Sequence, residues 1–133
     1  MRQIFIPGTA SKISVIDKNG AFRGCTIAPG IGISLDALSQ RTSQLPSISL
    51  KTPDHAIGTN TLDSMQAGTV FGFAAMIDGL CNKLESELNQ GKMSAVATGG
   101  LARDLIKSCE RDIVFNRELV LYGLKVLYEK NKK

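Results

Sequence analysis

Residues 2–28, RQIFIPGTASKISVIDKNGAFRGCTIA, decide the fold. Arg2–Ile6 is a short run of strand formers, and SKISVID alternates apolar and polar residues with the period of a strand that buries one face. Lys18-Asn19-Gly20 is a strong hairpin signal, because Asn-Gly tolerates the positive φ that a tight turn needs. AFRGCTIA then returns as a third strand, which completes a three-stranded antiparallel meander. Between the first two strands stands Gly8-Thr9-Ala10-Ser11. Gly8 supplies backbone freedom, while Thr9 and Ser11 supply hydroxyl and amide donors that can form a nest for phosphate oxygens. Taken alone, the turn reads better as a plain Gly-Thr hairpin. A turn doing phosphoryl transfer is expected to carry a carboxylate beside it, and here the neighbours are Ile6 and Pro7.

Downstream, Pro29-Gly30 is expected to end the sheet. Ser34 reads as the N-cap of a helix through LDALSQRTSQL, with Asp36 in its first turn and Pro46 stopping it. Residues 47–60 read as an irregular connection with room for a strand at Ile48-Ser49-Leu50. Asn60 or Thr61 then caps the longest helix, LDSMQAGTVFGFAAMIDGLCNKLESELNQ. Gly68, Gly72, Ala75 and Gly79 recur on one face of it, and each glycine costs about 1 kcal/mol against alanine inside a helix. Such a stripe calls for close backbone approach, either to the protein's own sheet and helices or to a second subunit. KMSAVAT is a buried strand, Gly99-Gly100 breaks it, LARDLIKSC starts a helix, DIVF is a short strand, and RELVLYGLKVLYEKN is a closing amphipathic helix. The layout is mixed α/β, the meander feeding parallel strands flanked by helices.

The composition narrows the function. At 133 residues, 43% hydrophobic and 21% charged, the chain is that of an ordinary soluble globular domain, most simply a single one. With no Trp and only 5% aromatics, it offers little platform for stacking single-stranded nucleic acid. The net charge of +4 is weighted towards Lys125, Lys130, Lys132 and Lys133, where a solvated helix C-terminus favours cations, so a nucleic-acid patch is the weaker reading. Three cysteines, Cys25, Cys81 and Cys109, show no CxxC spacing and read as reduced thiols, and the single His55 has no zinc-site spacing. No window approaches a membrane span, and a cytoplasmic location is expected.

Three further motifs accompany the Gly-Thr turn. AVATGGLA, residues 95–102, puts two glycines where a strand meets a helix, so that a flat or anionic ligand can sit against backbone near the helix N-terminus. A turn needing positive φ is the plain alternative. GTNT, residues 58–61, has the layout of a helix cap, Asn60 with Asp63 three residues on, and also offers Thr59 and Thr61 to a polar ligand. IAPGIGIS joins sheet to helix. None of the four contains a metal-ligand cluster, a nucleophile–base pair or a complete Walker loop.

In this order the motifs resemble the type III pantothenate kinase family. GTAS with its hairpin and IAPG is similar to that family's D-x-G-T-A-T-T loop, hairpin and G-G-x-I-x-P-G. LPSISLKTPDHAIGTNTLDSMQAGTVFGFAAMIDGL resembles its LP segment, G-x-N-T motif and small-residue helix ending I-D-G. ATGG matches its T-G-G loop, and LVLYGLKVLYEKN its closing helix. The resemblance runs from Gly8 to Asn131.

The resemblance implies an RNase H-like domain of the acetate-kinase/Hsp70/actin kind, equivalent over residues 1–133 to the C-terminal half of the kinase. It also implies ATP-dependent phosphorylation of pantothenate, the first step of coenzyme A synthesis, with a divalent metal (Mg) and a monovalent cation (K). Gly8, Thr9 and Ala10 would then lie at the second phosphate loop, Thr98, Gly99 and Gly100 at the adenosine loop, and Thr61 at the pantothenate site across a homodimer packed through Gly68, Gly72 and Gly79. The family's first domain, with its D-x-G-N-T loop and G-x-D-R segment, is expected outside this chain, on a separate N-terminal partner. The family's acid two residues before the loop glycine falls on Ile6, and Asp17 on the hairpin has no claim to that role. Two functions stay open: half of a kinase that needs its partner, or an inactive dimerisation or interaction domain that kept the fold.

Overall fold

The structure is a computed structural model that describes residues 2–6, 10–41 and 50–132. Strands β1 (Arg2–Ile6), β2 (Ala10–Ile16) and β3 (Phe22–Pro29) form the expected meander, followed by α1 (Ile31–Arg41) and α2 (Thr61–Leu88). Strand β4 (Ser94–Ala97), α3 (Ala102–Leu105) with a 3-10 turn at Ile106–Ser108, β5 (Ile113–Phe115) and α4 (Leu119–Asn131) complete the order. The five strands make one sheet in the order β3-β2-β1-β4-β5. β1 pairs antiparallel with β2, from Arg2↔Ile16 to Ile6↔Lys12, and parallel with β4, from Arg2↔Ser94 to Phe5↔Ala97. β5 extends the sheet parallel to β4.

The β2–β3 turn is held by Asp17. Its carboxylate accepts from the backbone N–H groups of Asn19 (2.9 Å) and Ala21 (3.0 Å), while Gly20 N–H donates to the Asp17 carbonyl. Those donors, Ala21 foremost, hold the Asp17 carboxyl below its usual range.

The core lies on one face of the sheet. Ser11, Ile13 and Val15 of β2 are buried at alternate positions, as are Ala95 and Ala97 of β4. Against them α2 lays Ala67, Val70, Ala74, Ile77 and Cys81, a stripe at helical spacing. Ile31, Ala102 and Leu105 close the cluster, with Phe73, Leu84, Ile113 and Phe115 packed around it. Alanines under the helix let it sit close to the sheet, and each large aliphatic side chain buried there stabilises the fold by about 1.5–3 kcal/mol.

Three local expectations change. Helix α1 starts at Ile31, not at Ser34; the Ser34 hydroxyl turns back onto the Gly30 carbonyl at 3.0 Å, inside the first turn. Asp36 is therefore beyond that turn. Helix α3 is only four residues long before it tightens to 3-10. The glycines of α2 do not pack on the protein's own sheet: Gly68, Gly72 and Gly79 are exposed, and a Cβ added at any of them would meet open space. Pro46 and the suggested strand at Ile48-Ser49 fall outside the described residues, and Leu50 is in no strand.

Candidate functional site

Because β2 runs against β1 and β3, while β4 and β5 run with β1, the carboxyl ends of β1, β3, β4 and β5 share one edge of the sheet. In open α/β sheets ligands bind at that edge. Here it gathers Ile6 at the end of β1, Ala10 at the start of β2, the β3–α1 junction at Pro29–Ile31, and Thr98-Gly99-Gly100 after β4. Ala10 is exposed and pairs with Pro29. Gly8 and Thr9 lie outside the described residues.

At the β4–α3 junction Thr98 is buried, 2% exposed, while Gly100 is open to solvent. Gly99 takes φ +106°, a conformation closed to most side chains. Its carbonyl accepts from Ala102 N–H at 3.3 Å, which starts α3. Nothing stands within 4 Å of where a Cβ on Gly100 would lie, so a flat ligand can approach the backbone there. A small cavity of about 60 Å³ beside it is lined by Gly100, Leu101, Asp104, Ile31 and Val70.

A larger open cleft of about 700 Å³ lies between α1 and the N-terminal turns of α2. Ser34 and Leu38 face it from α1; Gly58, Thr59, Asn60, Thr61, Ser64 and Thr69 face it from the α2 side, with Met65 and Phe73 at its apolar end. None of these residues is ionisable, so the cleft suits hydroxyl and amide groups beside apolar ones. Its wall depends on the cap of α2. Asn60 Oδ1 accepts from Asp63 N–H at 2.9 Å, and Asn60 Nδ2 donates to the Asp63 carboxylate at 2.6 Å. Gly58 nests so tightly against this turn that a Cβ on it would collide with the backbone of Ser64.

The structure thus puts Ala10, Thr98, Gly99 and Gly100 at one sheet edge and Thr61 in the adjoining cleft. Two of the motif residues gain a definite setting only in three dimensions. Ser11, second residue of β2, is 2% exposed and its hydroxyl has no hydrogen-bond partner among the described residues, an unsatisfied polar atom at the same edge as Thr98. Gly58 is fixed by contact rather than φ, and only the GTNT pattern hinted at it. Asp17 lies at the opposite end of β2 and is committed to the hairpin. Among the described residues no group of three or more His, Cys, Asp or Glu is arranged to hold a metal ion, and no helix is long and apolar enough to cross a membrane.

Comparison with known proteins follows these features. The family described as type III pantothenate kinase matches residues 4–83. A type III pantothenate kinase of Exiguobacterium sp. is 42% identical over 126 residues, covering 95% of this chain and 49% of the relative. That of Anaeromyxobacter sp. is 43% identical, covering 94% and 49%. The chain therefore spans about half the length of the curated relatives it matches. Among solved structures, a Baf family transcriptional activator from Campylobacter jejuni superposes with TM-score 0.71 at 20% identity, over 97% of this chain and 57% of that one. The activator of the 2-hydroxyisocaproyl-CoA dehydratase from Clostridium difficile, with bound ADPNP, superposes with TM-score 0.56 at 15% identity. At those identities the two share its fold.

Proposed function

Since this chain belongs to the type III pantothenate kinase family, we propose that it is the C-terminal half of such a kinase, a single RNase H-like domain that works on ATP and pantothenate with an N-terminal partner. The observation that carries this reading is the meeting of the β1, β3 and β4 carboxyl ends beside a hydroxyl-lined cleft of about 700 Å³.

ATP fits this edge on two counts. The Ser11 hydroxyl is buried without a partner among the described residues, and it follows in sequence the turn that would take phosphate through Gly8, Thr9 and Ala10. The open backbone at Gly99 and Gly100, above buried Thr98, offers room for the adenosine. The nucleotide would supply the phosphoryl group; these residues would orient it. Pantothenate joins hydroxyl and amide groups and an apolar gem-dimethyl to a carboxylate; the cleft that Thr61 lines suits its neutral part, and the carboxylate would need a cation from outside that lining. A divalent metal does not fit the described residues, which bring no carboxylate cluster to the edge. The metal donors and any monovalent-cation site would belong to the other half.

Phosphoryl transfer depends on positioning and charge neutralisation more than on covalent chemistry. Ile6 stands where the family carries its acid, and Asp17 is tied up at the far edge, so neither would serve as the base toward the pantothenate hydroxyl. The isolated chain should therefore be silent. The outward stripe of Gly68, Gly72 and Gly79 supports a homodimer packed through α2, and a cytoplasmic setting fits the substrates.

The test mixes this chain, as it stands and as Ile6→Asp, with the N-terminal half of a relative and follows pantothenate-dependent ADP formation. The expected result is no turnover alone and turnover with the half and Ile6→Asp. Silence of both mixtures overturns the kinase reading. The second reading, an inactive dimerisation domain, is favoured by Ile6 together with the intact glycine face; a dimer without measurable affinity for ATP or pantothenate by calorimetry would select it.

A further inference from the structure

The five strands hold three cations, Arg2, Lys12 and Arg23, and no acidic residue. Arg2 pairs in register with Ile16, and Arg23 reaches Asp17 at 3.8 Å, so both belong to the hairpin end of the sheet. Lys12 is at the other end, where its register partners are Ile6 of β1 and Ile27 of β3. It is half-buried, and none of the ion pairs among the described residues involves it. Charged side chains often guard an edge strand against pairing with another sheet. That role does not apply here, because β2 is an interior strand.

Laid on the loop pattern D-x-G-T-A-T-T, the closing threonine falls on Lys12, as the acid falls on Ile6. Ile6 and Lys12 form one cross-strand pair. At a single rung of the sheet, a negative charge is absent and a positive one present. The residue before Lys12, Ser11, points to the opposite face of β2, buried and with its hydroxyl unpartnered among the described residues. Those residues bring no carboxylate cluster that would hold a divalent ion against phosphate. An ammonium, in contrast, binds phosphate oxygens directly as a point charge. We propose that Lys12 is a polyphosphate-binding residue, whose ammonium takes the phosphate oxygens of the nucleotide at this edge, so that this half binds a nucleoside polyphosphate without a divalent metal. The inference rests on reading the chain as the ATP-binding half of a pantothenate kinase and names the charge that this site uses.

The probes are ADP, tripolyphosphate and adenosine, each titrated by calorimetry into the full chain, once in EDTA and once with magnesium. ADP and tripolyphosphate should bind in EDTA. Lys12→Met should weaken both about tenfold or more, the loss of a charge-assisted hydrogen bond, while adenosine stays within about twofold. Lys12→Arg should recover most of the affinity. The melt of Lys12→Met should be no lower than that of the unmodified chain, because methionine covers the same apolar surface as the lysine stem. Equal ADP affinity in Lys12→Met and the unmodified chain overturns the inference, as does ADP binding that appears only with magnesium. Absence of binding by both ADP and tripolyphosphate overturns it too. So does a lowered melt of Lys12→Met with adenosine affinity lost alongside ADP, because Lys12 would then be structural. Tripolyphosphate binding that Lys12→Met abolishes, while every mixture with the N-terminal half stays silent in pantothenate-dependent ADP formation, sustains the Lys12 site and fails the kinase reading. Turnover in those mixtures with ADP affinity unchanged by Lys12→Met does the reverse.

Discussion

Arg111 grips Glu85 with two parallel hydrogen bonds, Nη1 to Oε1 and Nη2 to Oε2, each 2.7 Å. The pair ties the lead-in of β5 to the last turns of α2, with side chains 9% and 18% exposed. Arg111 also donates to the Met93 carbonyl at 3.1 Å and to Asn82 at 2.8 Å, and Glu85 accepts from Met93 N–H at 2.6 Å. Two turns before Glu85 on the helix, the Asp78 carboxylate takes the N–H groups of Glu110 and Arg111. The expected effect of Arg111→Met is a loss of about 3 kcal/mol, because a part-buried carboxylate is left without its partner. Glu85→Leu added to it should recover at least half of that loss, since an apolar pair replaces the ionic one. Urea unfolding of the two variants checks this; equal stability of single and double variants would refute it.

The same pair sets the pH dependence. The Arg111 hydrogen bonds hold Glu85 below its ordinary value of 4.5, and the hairpin N–H groups, Ala21 first, hold Asp17 below 3.8. The unfolded chain takes up these protons at the ordinary values and the folded chain only at lower pH. Stability from both groups is therefore full above about pH 5 and is lost as pH falls through the lowered folded values. Unfolding midpoints at pH 7, 5, 4 and 3 should be level at first and then fall, and Glu85→Gln should flatten part of that fall.

At the alkaline end the thiols act with the opposite sign. Burial pushes Cys81 up to about 11 and Cys109 up to about 12, from 9.0. In the folded chain both stay protonated where the unfolded chain ionises, so their contribution is whole below pH 9 and lost above it. At pH 8 an aromatic disulfide reagent should modify one thiol per folded chain, exposed Cys25, and three in urea. Fast reaction of two or three thiols in the folded state would show that α2 and the 3-10 turn do not shield Cys81 and Cys109.

How much of this was legible in the sequence depends on the range of the interaction. Alternation in SKISVID and the Asn19-Gly20 turn disclosed the meander, because strand period and turn chemistry are local. The Asn60 cap was legible for the same reason. The start of α1 was not: Ser34 looks like a cap, yet its hydroxyl bonds the carbonyl of Gly30 four residues back, and the helix begins at Ile31. The Arg111–Glu85 pair spans 26 residues, so no local pattern could show it. At the site, the order of the motifs was legible, but their sharing of one edge follows from β4 running parallel to β1. The amphipathic character of α4 could be read from spacing; that none of its residues is buried required coordinates.

Glycine gives the sharpest contrast between the two kinds of reading, and the last prediction rests on it. The sequence singles out Gly68, Gly72 and Gly79 as positions of close approach, whereas Gly58 is pressed against backbone, that of Ser64. Gly72→Ala should therefore stabilise the isolated chain by about 1 kcal/mol, the ordinary helix gain with no steric cost. Gly58→Ala must instead push the first turn of α2 away. The expected cost is about 1–3 kcal/mol, in the range of overpacked sites, with the Asn60–Asp63 cap and the cleft wall displaced. Thermal melts of the two variants at low concentration should move in opposite directions. If a second copy packs on the α2 face, Gly72→Leu should also weaken self-association in sedimentation while leaving the melt of the dilute chain no lower. A fall in that dilute melt would mean that the stripe faces this chain's own core after all.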